Sequence, residues 1–249
     1  MNLSLQEYEQ RMVLPRQRFA LSPGLAAILS PAIDPELLEL FLAHFCAMGV
    51  HMTEPVEGWI RRSGARCEEL GLGELGRALK GHANGEAGHE LLMIADVKKL
   101  TTHWNTHGTL HLDPDALLQR SPSLGTQRYR EIHEHTIAGN TPFAQIAIEY
   151  EIEMLSLRYG QRLITNCVAQ LGGEILGCLS FLTEHVELDV GHTKFISRTL
   201  ETFLTDHPTC VSALVEAGAA ALDAYAQFLS DCLERARRHL GEQHVAEQR

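Results

Sequence analysis

The stretch His185-Val-Glu-Leu-Asp189-Val-Gly-His192, near the start of the last third of the chain, decides how the rest is interpreted. On a helix, positions four and seven residues apart fall within one narrow stripe, so His185, Asp189 and His192 are predicted to point the same way. Two imidazoles and a carboxylate form half of a metal site. Nitrogen and oxygen donors without a thiolate favour a redox-active or oxygen-activating transition metal over calcium or structural zinc.

A second group of donors lies upstream, in His82-Ala-Asn-Gly-Glu86-Ala-Gly-His89-Glu90. Glu86 and His89 are three residues apart, the spacing with which di-iron carboxylate helices direct a carboxylate and an imidazole at one ion. His82 lies one helical turn before Glu86. We interpret it as an outer neighbour of the site and not as a ligand.

The third group is the acidic segment Glu149-Tyr150-Glu151-Ile152-Glu153. Glu149 and Glu153 are one turn apart on a helix with apolar neighbours, and a carboxylate directed into a core must be neutralised, paired or bound to metal. Either glutamate can supply the ligand. Gln145 and Tyr150 are predicted to lie beside the site or in its substrate pocket.

The charge balance limits the classes of partner. The formal net charge is −11, the pI is about 5.7, and there is no Lys/Arg run beyond Arg235 to Arg238, which argues against a basic surface for nucleic acid or anionic membrane. We therefore expect a small-molecule partner.

The cysteines and the chain start predict the compartment. There is no CxxC pair, no apolar signal-peptide core and no apolar run long enough to cross a bilayer. We expect reduced thiols and a cytoplasmic protein. The cysteines are scattered: Cys46, Cys67, Cys167, Cys178, Cys210 and Cys232.

Helical periodicity dominates the sequence. Apolar residues recur at spacings of three and four nearly everywhere, while alternating β-branched runs are missing. The sequence predicts an all-α chain that forms one domain over residues 1–249, with residues 241–249 frayed. The long helices are predicted at about residues 74–104, 142–171, 174–204 and 211–240.

Two smaller expectations concern glycines and histidines. Gly81, Gly85 and Gly88 weaken the predicted helix at 74–104, and indicate either close packing beside the ligands or tolerated surface positions. The remaining histidines are predicted at the surface: His103, His107, His111, His133, His135 and His207.

Taken together, the three groups resemble a family. The order Glu-x2-His, then a lone Glu, then His-x3-Asp-x2-His is similar to that of the heme-oxygenase-like diiron oxidases. The resemblance implies a heme-oxygenase-like bundle of about seven core helices that binds two Fe(II)/Fe(III) ions and uses O2 as co-substrate. It favours Glu153 over Glu149, because the ligand precedes a small polar residue. The implied ligands are Glu86, His89, Glu153, His185, Asp189 and His192.

The family resemblance also implies the chemistry. We expect N-oxygenation or oxidative rearrangement of a small amine or amino acid in a biosynthetic pathway, with oxidative C–C cleavage or fatty-acid decarboxylation as the alternatives. An external electron donor and a homodimer stay open. Two other classes also remain: a thiaminase-like hydrolase, for which Cys178 is the nearest candidate nucleophile, and a non-catalytic metal-binding protein.

Overall fold

A computed structural model describes the backbone of residues 3–247, and their side chains apart from those of residues 188–190 and 243–247. All regular structure in these residues is helical, which confirms the all-α prediction. The helices are α1 Leu3–Ala20, α2 Pro23–Ile28, α3 Pro35–Thr53, α4 Val56–Glu69, α5 Gly73–Ala83, α6 His89–Trp104, α7 Pro114–Leu118, α8 Leu124–Ala138, α9 Gln145–Leu155, α10 Gln161–Leu171, α11 Ser180–Asp206 and α12 Val211–Glu247.

The central element is α12, the longest helix at 37 residues. It packs against α1, α3, α8 and α9, and its apolar side chains join a continuous buried core that includes Trp59, Trp104 and Phe228. On one side of this core, α11 packs against α9, α5 and α6. The three predicted donor groups therefore lie on α11, on helices that pack against it, or in the segment between two of them.

The predicted continuous helix at 74–104 is wrong, because the chain turns between α5 and α6 at residues 84–88. Gly88 has φ +89°, a left-handed conformation that glycine adopts without steric cost, and it precedes the first turn of α6. The glycines thus end one helix and start another. Glu86 lies in the turn itself, between the histidines at the end of α5 and the start of α6.

A π-helical turn, Ser156–Gly160, interrupts the predicted helix at 142–171 and separates α9 from α10. Such turns insert one residue and often mark functional sites. At Gly160, a Cβ would lie 2.6 Å from Cγ2 of Val186. Glycine here allows α11 to approach closely at the position next to His185.

The helix predicted from residue 174 starts later than expected. Gly173–Cys178 forms a 3-10 turn, and α11 begins at Ser180. Asp96 of α6 caps α11, since its carboxylate accepts hydrogen bonds from the backbone N–H groups of Ser180 at 3.0 Å and Phe181 at 2.8 Å. Among the residues described, no helix has the length and apolar character needed to cross a bilayer.

Candidate metal centre

Two overlapping groups of metal-type donors lie where α5, α6, α9 and α11 meet. One contains Glu86, His89 and His185, and the other contains His82, Glu86, Glu153 and His192. In each group the donor atoms all lie within 4.8 Å of one another. Glu86 belongs to both groups, so its carboxylate lies between two sets of imidazoles.

The first group has two histidines on one carboxylate. His89 Nδ1 lies 3.1 Å from Glu86 Oε2, and the ring centroids of His89 and His185 are 4.6 Å apart. His185 Nδ1 donates a hydrogen bond to the carbonyl oxygen of Phe181 at 2.8 Å. This bond fixes the tautomer and leaves Nε2 as the nitrogen that can bind a metal.

The second group combines two carboxylates with two histidines. His192 Nδ1 lies 3.3 Å from Glu86 Oε1 and 4.0 Å from Glu153 Oε1, and His82 Nε2 lies 3.1 Å from Glu153 Oε1. The His82 and His192 rings meet edge to face at 5.4 Å. A Cβ on Gly85 would lie 3.2 Å from His192 Nε2, so a side chain at that position would crowd the ring.

Charge in the centre is arranged around Glu86. Burial by itself would raise the pKa of this carboxyl, but hydrogen bonds from His192 and His89 hold the pKa well below its usual value. The bond to Glu86 raises the pKa of His89. Burial and the neighbouring His89 lower the pKa of His185 to about 4. Glu86 is therefore anionic and His185 neutral at pH 7, the states in which both bind metal.

Several sequence predictions are refined by this geometry. His82, interpreted as an outer neighbour, places Nε2 within the second donor group. Of the two candidate glutamates, Glu153 lies in that group, whereas Glu149 hydrogen-bonds to Gln145 at 2.5 Å. The side chain of Asp189 falls outside the described residues.

The two residues predicted beside the site differ. Gln145 is fully buried next to Glu149, and its amide contacts His133 Nδ1 at 2.8 Å. Tyr150 instead directs its hydroxyl to Glu9 of α1 at 3.1 Å. The placement of Tyr150 beside the site is not what the structure shows.

His133 corrects another prediction, because it is fully buried and not part of a solvated face. Its ring stacks on Trp59 with centroids 4.1 Å apart, and burial lowers its pKa to about 3. The flanking Glu134 is the exposed member and pairs with Arg62 at 2.7 Å. The charged neighbours of His133 in the sequence gave the wrong impression of its helix face.

A cavity of about 160 Å³ adjoins the donors. Glu86, Glu149, Glu153 and His185 form its polar wall, and burial raises the pKa of Glu149 to about 8. No lysine or arginine is among the described residues that line it. The remaining wall is mostly apolar and aromatic, and includes Phe45, Met93, Tyr129, Leu163, Phe181 and Phe228.

The cysteines offer no comparable centre. All six are free thiols, and burial raises the pKa of each one, including Cys178. A thiol with a raised pKa is a poor nucleophile at neutral pH. The hydrolase alternative therefore lacks an activated cysteine among these six.

The donor chemistry fits a pair of first-row transition metals. Four imidazoles and two carboxylates supply six described donors, which suits metals that accept mixed nitrogen and oxygen ligands. Glu86 belongs to both groups, so an ion in either group could contact its carboxylate. Calcium is disfavoured, because it prefers a shell of oxygen atoms alone.

Two solved structures resemble the chain over nearly its whole length. A domain of unknown function with a heme oxygenase-like fold from Shewanella denitrificans OS217 has TM-score 0.74 and 18% identity, covering 94% of this chain and 93% of that one. A CADD-like protein of unknown function from Nostoc punctiforme PCC 73102 has TM-score 0.60 and 12% identity, covering 93% and 99%. No family model and no curated protein matches. As the sequence resemblance predicted, the chain has a heme oxygenase-like fold.

Proposed function

We propose that this chain is a non-heme diiron oxidoreductase that uses O2 to oxidise a small amine. The observation that carries the proposal is the position of Glu86, shared by two donor groups that together contain four histidines and a second carboxylate. A single-metal protein has no need of a shared carboxylate with imidazoles on both sides. A carboxylate shared by two donor groups is the arrangement expected of a dinuclear site.

In this proposal, Glu86, His89 and His185 would hold one ion, and His82, Glu86, Glu153 and His192 would hold the other. Asp189 is retained as a further ligand from the sequence pattern. A ferrous pair would supply the electrons that activate O2. The protein residues bind and orient: the Phe181 carbonyl fixes the His185 ring, and the ionised Glu86 balances the positive charge.

The cavity supports a small substrate next to the donors. A cavity of roughly 150 Å³ accommodates benzene, so about 160 Å³ suits a single ring or a short alkyl chain. The apolar wall would bind the body of the substrate and exclude water from the site.

The polar wall favours an amine over an acid. A substrate amine can hydrogen-bond to Glu149, the carboxyl group of the polar wall that is not assigned to an ion and that burial keeps mostly neutral, whereas a substrate carboxylate finds no lysine or arginine among the described lining residues. We therefore propose N-oxygenation, R-NH2 + O2 + 2e⁻ + 2H⁺ → R-NHOH + H2O. An external reductant supplies the two electrons.

Metal loading tests the first part of the proposal. Anaerobic titration with Fe(II) should give two ions per chain. Glu86→Gln should lower the affinity for both ions, because the amide is a neutral and poorer ligand. His89→Gln should weaken one ion only. Glu54→Gln changes an exposed glutamate and serves as the matched control. Equal iron content in the wild type and in Glu86→Gln would refute the shared carboxylate.

Oxygen uptake tests the second part. The iron-loaded protein with a chemical reductant should consume O2 faster when single-ring arylalkyl amines are added, and hydroxylamine products should appear by mass spectrometry. Carboxylic acids of the same ring and chain length are the comparison. Uptake with the acids but not the amines would replace the amine proposal by decarboxylation or C–C cleavage. Bound iron without any O2 consumption would indicate a metal-binding protein.

A further inference from the structure

A second cluster of metal-type donors lies away from the centre described above. It consists of Glu39 on α3, His103 in the last turn of α6, and His107 in the turn that follows α6. His103 Nδ1 lies 2.6 Å from Glu39 Oε1, and His107 Nε2 lies 3.1 Å from Glu39 Oε2. The three donor atoms all lie within 4.8 Å of one another.

The burial of Glu39 is energetically unfavourable for a carboxylate. Only 2% of the residue is exposed, and its chain neighbours Leu38 and Leu40 are fully buried. No described lysine or arginine nitrogen lies within 4.0 Å of it, so the contacts that offset its burial are the two imidazoles. A carboxylate with this degree of burial needs a positive partner.

The imidazoles differ from surface histidines, which the sequence predicted both to be. The side chain of His103 is 28% exposed and that of His107 is 43% exposed, and each directs a ring nitrogen inward to a different oxygen of Glu39. Their outer edges remain open to solvent. An ion bound between the three would keep a position for water.

We propose that Glu39, His103 and His107 bind one divalent ion of the zinc class, at a site separate from the diiron centre. Two imidazoles and a carboxylate with an open fourth position is a ligand set that Zn(II) accepts. Metal–ligand bonds of about 2.0–2.2 Å place neighbouring donors roughly 3.3 Å apart in a tetrahedron. For an ion bound through Oε2 of Glu39, the His107 Nε2–Oε2 distance of 3.1 Å already has such a spacing, and His103, which now contacts Oε1 at 2.6 Å, would shift to face that ion.

The site is distinct from the first centre. His103 lies fourteen residues after His89 on the same helix, which corresponds to roughly 21 Å along the axis. A bound ion would join α3 to the end of α6 and to the turn after it. That turn is otherwise held by Asn105, whose side chain bonds to the backbone of Leu112 at 2.8 and 2.9 Å.

Metal counting tests the inference independently of the diiron proposal. Wild-type protein and the double variant His103→Gln/His107→Gln are dialysed against Zn(II), and bound zinc is measured by mass spectrometry. The wild type should hold about one ion per chain more than the variant, whatever the main centre binds. Equal zinc content would show that the cluster is only a hydrogen-bonded pair of imidazoles on a buried carboxylate.

Tryptophan fluorescence gives a second, local measurement. The ring centroids of Trp104 and His107 lie 5.4 Å apart. The chain has two tryptophans, so Trp59→Phe leaves Trp104 as the single source of tryptophan emission. In this background Co(II) should quench the emission, and His107→Gln should weaken the apparent affinity by more than about tenfold. His89→Gln should leave the quenching unchanged. Quenching that survives His107→Gln, or that is lost with His89→Gln, would overturn the proposal.

The single variant His107→Gln keeps the test decisive if the double variant does not fold. If circular dichroism shows that the double variant is unfolded, His107→Gln alone decides, because His107 is the most exposed of the three ligands. A folded His107→Gln with unchanged Co(II) affinity refutes the site.

Discussion

His185 donates a hydrogen bond from Nδ1 to the carbonyl oxygen of Phe181 at 2.8 Å, and Phe181 is itself held by Asp96 at the start of α11. The Asp96 carboxylate accepts from the Ser180 N–H, the Ser180 hydroxyl and the Phe181 N–H, at 3.0, 2.5 and 2.8 Å. A fully buried residue on α6 thus sets the position of a metal-type donor on α11. Such outer contacts orient ligands and tune metal affinity.

We expect Asp96→Ala to destabilise the protein and to loosen His185. The variant loses a helix cap with three hydrogen bonds, at a cost of about 1–3 kcal/mol. Urea denaturation measures the loss of stability, and Fe(II) titration should show a lower affinity for one of the two ions. The control is Asp34→Ala, which removes the exposed cap of α3. If both variants retain the same iron affinity, Asp96 has no positioning role.

Gly85→Ala should weaken the second donor group with little effect on the fold. Its Cβ would lie 3.2 and 3.4 Å from two atoms of the His192 ring, so the ring must shift away from Glu86 and Glu153. Iron titration should show an affinity loss of about tenfold or more for one ion. Gly81→Ala is the matched control, because a Cβ there meets nothing within 4 Å. Equal iron affinity in the two variants would contradict this account of Gly85.

The sequence predicts the fold and the donor segments well, because helical spacing and ligand spacing are local properties. It misses the turn at residues 84–88, since only the left-handed backbone of Gly88 shows that the glycines break the helix. The contact of His82 with Glu153 joins two helices, and no spacing within α5 can indicate it.

The burial of individual polar residues is the other feature that the sequence does not predict. Asp96 and His133 are buried by partners distant in the chain, and no local pattern marks them. Glu39 stands in the apolar run at 37–42, which indicates burial but not its histidine partners. His133 sits between charged residues, yet it packs on Trp59. Such positions follow from tertiary packing and not from local pattern. For the same reason, the sequence did not predict the cluster of Glu39, His103 and His107.

Stability should fall at acidic pH because of His44. This ring is fully buried, and burial together with Arg120, His239, Arg235 and Arg238 lowers its pKa to about 3. The unfolded chain binds a proton at about pH 6.5, so the folded state loses stability as pH falls from about 6.5 toward 3, by up to about 1.4 kcal/mol per unit.

His44→Leu should flatten this pH dependence. The measurement is urea denaturation at pH 7.5, 6.0 and 5.0, and the change in slope relative to wild type isolates the contribution of the imidazole. His135→Gln, at an exposed position, is the control and should keep the wild-type slope. An unchanged slope in His44→Leu would mean that another group governs acid unfolding.

The buried ion pair between Arg16 and Glu151 should dominate the stability of the contact between α1 and α9. The guanidinium donates to both carboxylate oxygens at 2.6 and 2.8 Å, and the side chains are 12% and 1% exposed. Arg16→Ala leaves a buried anion with only the Tyr8 hydroxyl, so the expected loss is about 3–5 kcal/mol.

The exposed pair of Arg18 and Asp223 provides the comparison on the same helix. Its side chains are 56% and 57% exposed at a separation of 3.2 Å, so Arg18→Ala should cost less than about 1 kcal/mol. Glu151→Gln in the Arg16→Ala background should recover part of the loss, because it removes the unpaired charge. Equal losses for the two arginine variants, measured in urea, would show that burial does not set the strength of the Arg16 pair.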